Sequence, residues 1–148
     1  MNLTKTFLAS LLVLVSVCSA CEWDTTVRLK DSNPPQFRLS GSGKLAMLRM
    51  VGQQVRSTPP SDASVVWEIA PREGQFGGTG VGILGSITYG EIPPGYLQKY
   101  PEEGKPPPLV EGQLYAVRFE TTGANGAHVY FIYRKGRLVE TNFQGVAL

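Results

Sequence analysis

Cys18 and Cys21 are the only cysteines in the chain, and they stand as C-x-x-C in "VSVCSAC", residues 15–21. That spacing admits a redox pair, half of a metal site, or a cysteine destined for modification. A thioredoxin-like pair belongs beside a βαβ pattern, and none surrounds these residues. A zinc site asks for four ligands. The single histidine, His128, lies far along the chain and is the only other strong donor.

Three further features carry possible chemistry. "GVGILG" (80–85) is a literal G-x-G-x-x-G. A dinucleotide site needs it between a strand and a helix whose N-terminus holds the pyrophosphate. The following "SITYGEIPPG" is no such helix, so the segment reads as a flexible turn. His128 would need a serine or cysteine and an orienting acid brought beside it. No G-x-S-x-G elbow is present, and the residue reads as solvent-facing or satisfied. Glu102 and Glu103 are adjacent carboxylates, but the D-x-D-x-D-G pattern of a calcium loop is missing. They read as a solvated pair. No catalytic residue, metal or cofactor is expected.

The cysteines take their meaning from what precedes them. Phe7 to Val17, "FLASLLVLVSV", is apolar and follows the single charge Lys5. It suits the core of a signal peptide and is too short to span a bilayer, which needs about 20 residues. Ser19 and Ala20 then supply small residues ahead of Cys21. Cys18, Ser19, Ala20 and Cys21 resemble the lipobox of bacterial lipoproteins. The resemblance implies a diacylglycerol on the sulfur of Cys21, cleavage just before it, and a mature chain starting at that residue. Cys18 stands where the family usually has an aliphatic residue, so ordinary secretory cleavage after Ala20 remains the alternative. By the same resemblance Glu22, which is not the aspartate of inner-membrane retention, points to the outer membrane.

Residues 1–20 are thus read as a signal peptide and 21–148 as one domain. Of 14 Lys and Arg only Lys5 lies in the leader, leaving 13 against 12 acidic residues. Nucleic acid would ask for a clustered basic face, and no nucleic-acid partner is expected. The basic turn Arg134, Lys135 and Arg137 reads as solvated, with anionic headgroups as its other possible contact.

Sustained helical periodicity is absent, and Gly and Pro punctuate the chain. "TVRLK" (26–30), "QFRLS" (36–40), "SVVWEIA" (64–70), "QLYAVRFET" (113–121) and "AHVYFIYR" (127–134) have the period or composition of strands. "LAMLRMV" (45–51) reads as a central strand, and "ILGSITY" (83–89) and "LVETNF" (138–143) as further strands. "GANGA" and "RKGR" are turn signals. Trp67, Phe119 and Phe131 are assigned to the core. The expected fold is an all-β antiparallel sandwich of seven to eight strands. Between the strands, residues 91–112 hold six of the eleven prolines and read as a long proline-rich loop. A loop of that length is often functional, and Tyr96 and Tyr100 are its candidate binding residues. The competing reading folds both rings over a sheet edge.

Leu109, Gly112, Tyr115 and Val117 resemble the tyrosine corner of fibronectin type III and related immunoglobulin-like sandwiches. The resemblance implies a Tyr115 hydroxyl bonded back to the backbone. "SVVWEIAP" resembles that family's second strand, with Trp67 as its core tryptophan. The resulting expectation is a non-enzymatic, lipid-anchored envelope protein that binds a protein or glycan partner. It would meet the membrane through Cys21. A structural envelope subunit and a small hydrolase using His128 are the alternatives, with a soluble periplasmic or secreted protein the alternative location.

Overall fold

A computed structural model describes residues 24–53, 65–74 and 77–142. Cys18, Cys21 and the signal peptide lie outside the described residues. Among the described residues nine strands, against the seven to eight expected, and one short helical turn are formed: β1 (Thr25–Lys30), β2 (Gln36–Gly41), β3 (Lys44–Gln53), β4 (Val65–Pro71), α1 (Val81–Leu84), β5 (Ser86–Thr88), β6 (Tyr96–Tyr100), β7 (Leu114–Thr122), β8 (Ala127–Arg134) and β9 (Arg137–Thr141). They make two antiparallel sheets, ordered β1-β2-β5 and β6-β4-β3-β7-β8-β9. In constant-type immunoglobulin domains the first, second and fifth strands share one sheet, and the third lies beside the last two in the other. The same arrangement holds here. The fourth strand has moved to the side of the third, β6 is added beyond it, and β9 extends the opposite edge.

β3 lies between β4 and β7 in the large sheet. A strand flanked on both edges and covered by the core favours a near-continuous apolar run, as "LAMLRMV" supplies. Alternation does the rest. Phe37 and Leu39 from β2, and Ile87 from β5, face Leu48, Trp67, Val117, Phe119 and Phe131 of the large sheet. Phe37 is the bridge between the layers. Its ring meets Phe119 edge-on at 5.8 Å and Phe131 at 6.3 Å.

Three sequence expectations are corrected. Trp67 is in the core, but on β4; the second strand is β2, where Phe37 occupies the core position. "ILGSITY" is a strand only over Ser86–Thr88. The amides of Ile83 and Leu84 both reach the Gly80 carbonyl, and Gly85, at φ +62, closes one helical turn on the Val81 carbonyl. The hairpin signalled by "GANGA" is formed, β7 pairing with β8 across it, and Gly123 is the left-handed residue among its described positions. Asn125 donates to the Asp24 carboxylate at 2.7 Å, fastening the start of β1 to the hairpin. Finally, residues 91–112 contain β6 and are no structureless loop.

The "RKGR" turn follows its sequence. Lys135 and Gly136 both have positive φ, the type I′ geometry that matches strand twist. Asp31 ties this region to the end of β1. It accepts from the Leu138 amide and from Arg137, both at 3.0 Å, and these bonds hold its carboxyl below the usual carboxylate range.

Candidate binding surface

The two tyrosines of the proline-rich segment part company. Tyr96 is 1% exposed. Its hydroxyl donates to the Leu45 carbonyl at 2.8 Å and accepts the Thr79 amide at 2.9 Å. It therefore pins the glycine-rich segment to β3, and burial raises its phenol above the ordinary tyrosine range. This corrects its assignment to a binding surface. A phenol buried with both hydrogen-bonding roles filled is structural. Tyr100 is 47% exposed at the end of β6 and stays accessible.

Nor is the segment a free arm. Gln98 accepts from the Trp67 indole and donates to the carbonyls of Pro101 and Gly104. The Tyr89 hydroxyl donates to Pro107 at 2.7 Å, and the Gly112 amide donates to Tyr133 at 2.7 Å. The prolines are thus laid along the body of the domain.

The tyrosine-corner residues are brought together at the entry to β7. The Val110 amide donates to the Tyr115 hydroxyl at 2.7 Å, five residues back along the chain. Gly112 takes φ +75, open to glycine at little cost, and Leu109 packs against the core. Burial raises the Tyr115 phenol, with the Val110 bond opposing it.

His128 is exposed on β8, opposite Arg118 of β7, with its ring edge-on to Tyr130 at 5.4 Å. Among the described residues no carboxylate forms an ion pair with it. Glu102 and Glu103 are exposed in a bend. Among the described residues no three His, Cys, Asp or Glu stand together as a metal site.

A different surface emerges on the outer face of the small sheet. Alternation sends Thr26, Arg28 and Lys30 of β1 outward with Gln36, Arg38 and Ser40 of β2 and Ser86 of β5. The register sets Arg28 directly across from Arg38, Lys30 across from Gln36, and Arg38 across from Ser86. Like charges directly opposed in an antiparallel pair are destabilising. Among the described residues neither arginine forms an ion pair. Arg28, Lys30, Gln36, Arg38 and Ser86 line an open groove of about 630 Å³.

Gln36 and Ser86 also line a second cleft, about 570 Å³, along the β5 edge. Its apolar lining includes Ile83, Leu84, Ile92, Pro93 and Pro94, with Glu91 as its acid. Ile83 is 83% exposed, projecting from α1, and Ile92 is 48% exposed. Both volumes fall in the range of ligand sites. A cationic groove therefore runs into an apolar-walled one, on a face that no other described element covers. Reading each arginine as a solvated outward position misses this; only the pairing register brings them together.

Fold and surface together define an all-β antiparallel sandwich with a basic small-sheet face that no other described element covers. The chain matches no protein-family model, no curated protein and no solved structure.

Proposed function

We propose that this is an exported, lipid-anchored domain of the bacterial cell envelope that binds a partner and transforms none. The observation that carries the binding role is the small-sheet face. It combines opposed arginines with an isoleucine left in solvent, neither of which the fold requires. The anchor rests on the lipobox-like sequence ending at Cys21. Cys21 precedes Thr25, the first residue of β1, by four positions, a reach of about 14 Å at full extension. A lipid there holds the sandwich close to the bilayer.

Intact mass of the protein extracted from native membranes tests the anchor. A chain starting at Cys21 and carrying diacylglycerol is expected. A chain starting there without lipid, in the soluble fraction, makes it a periplasmic or secreted protein with one thiol.

A second reading, a structural subunit joined by strand addition, draws on β9. It pairs with β8 alone among the described strands and exposes Val139. A stable oligomer in solution, dispersed by Val139→Lys, would favour it.

A further inference from the structure

The small-sheet face has two chemistries side by side, and their combination narrows the partner. Arg28, Lys30 and Arg38 present three cations within one groove that no carboxylate lines. Arg28 and Lys30 are two positions apart on one strand, about 7 Å. Arg28 and Arg38 are cross-strand neighbours, roughly 5 Å apart at their Cβ atoms. Cations so close relieve their mutual repulsion best when anionic groups lie between them. Thr26, Gln36, Ser40 and Ser86 add neutral hydrogen-bonding groups around them.

Nucleic acid fits poorly, because single-strand sites supply aromatic platforms for the bases, and no aromatic side chain lines either groove. A soluble acidic polymer would meet the cations but leaves Ile83 and Ile92 unexplained. An anionic lipid surface uses both features. Phosphates meet the basic groups, and apolar side chains enter the boundary between headgroups and acyl chains.

We propose that the outer face of the three-stranded sheet docks on an anionic phospholipid surface. Arg28, Arg38 and Lys30 lie at the phosphates, and Ile83 inserts beside them. The inference deepens the envelope reading above, since a short tether from Cys21 would keep this face within reach of the bilayer. Glu91, which lines the apolar cleft, opposes the attraction.

The test uses the chain with Cys21→Ser, which has no lipid acceptor, so docking is read apart from anchoring. It is sedimented with vesicles of phosphatidylcholine alone, or with about one-third phosphatidylglycerol. Binding is expected only to the anionic vesicles, and weaker at high salt. Each cation at such a surface changes partitioning about five-fold, so Arg28→Ser with Arg38→Ser should lose about 25-fold. Ile83→Ser should lose about ten-fold by removing buried apolar area. Arg134→Ser with Lys135→Ser, at the β8–β9 turn, should change binding less than two-fold. Thermal melts confirm that each variant is folded.

Equal binding to neutral vesicles overturns the proposal, as does equal loss from the turn variant or no loss from the Arg28 and Arg38 variant. Binding of dextran sulfate without binding to anionic vesicles also overturns it, in favour of a soluble polymer. Lipid found on Cys21 by mass, with no vesicle binding by the Cys21→Ser chain, leaves the anchor standing and removes this inference.

Discussion

Replacing Tyr96 with phenylalanine tests whether the segment most suggestive of a binding loop is instead part of the frame. The ring is fully buried and the substitution keeps its shape, so packing should be preserved. What disappears is one oxygen that serves two partners, the Leu45 carbonyl at 2.8 Å and the Thr79 amide at 2.9 Å. A typical hydrogen bond contributes about 1 kcal/mol net, and stranding a buried donor or acceptor costs about 1–3 kcal/mol. Two partners lose their bond at once, which gives a loss of about 2–3 kcal/mol. For a domain of this size that is a fall in Tm of roughly 8–12 °C. Urea denaturation should show a lower midpoint at unchanged slope, the mark of lost stability rather than altered compactness. Hydrogen exchange adds a local readout, since the Thr79 amide should exchange faster than in the parent. Tyr100→Phe, at an exposed hydroxyl, should change neither. A Tyr96→Phe shift under about 2 °C with Thr79 still protected would refute the reasoning, because the hydroxyl would then not hold that segment.

Three other outcomes follow from the same packing. Gly78→Ala should be strongly destabilising, because Gly78 takes φ +73 and an added Cβ would run into the Leu45 carbonyl; calorimetry reads the effect. Phe37→Ala removes the ring that joins the layers and should cost about 3–5 kcal/mol by denaturant unfolding. Tyr89, Tyr96 and Tyr115 hold their protons more tightly folded than unfolded, because burial disfavours the phenolate. Their contribution is complete below the ordinary tyrosine value and is lost as pH rises above it. Stability should therefore fall above about pH 10, and ultraviolet titration should show these three phenols ionising only above the ordinary tyrosine value.

Much of this fold is legible in the sequence wherever one face of a strand is buried and the other wet. β1, β2 and β7 alternate plainly, and β8 is rich in β-branched and aromatic residues. β6 was hidden by its neighbours. Pro93, Pro94 and Pro101 mark the segment as loop, yet proline is tolerated at sheet edges, and β6 is an edge. "ILGSITY" misleads in the opposite way, since its β-branched residues favour a strand while Gly80 and Gly85 close a helical turn. The resemblance of "SVVWEIAP" puts Trp67 on a second strand, whereas the short polar segment around Phe37 fills that place. The small-sheet surface had a usable signal. A turn centred on Asn33 pairs residues equidistant from it, and Arg28 and Arg38 each lie five residues away. Alternation alone assigns both to solvent and stops there.

The tyrosine and the arginines argue for opposite roles by the same criterion. Local consistency is what a sequence shows when a residue serves the fold, and departures from it gather where a residue serves something else. Tyr96 is consistent at every level: buried, both bonds made, at an edge it helps to close. Arg28 and Arg38 are not. Any neutral polar residue at either position would keep the alternation and remove a repulsion, and a polar residue at Ile83 would take an apolar side chain out of water. The pair does nothing for the sandwich that Thr26 and Ser40, bonded one step along the same two strands at 2.7 Å, do not do without strain. A surface kept against its own local stability is better explained by an anionic partner than by the fold, and the direction can be measured on the protein alone. Arg28→Ser should leave Tm unchanged or raise it while weakening attachment to anionic vesicles, so stability and binding move apart. If the same substitution lowers Tm by several degrees, the arginine is packing the sheet and the reason for assigning the face to a partner is gone.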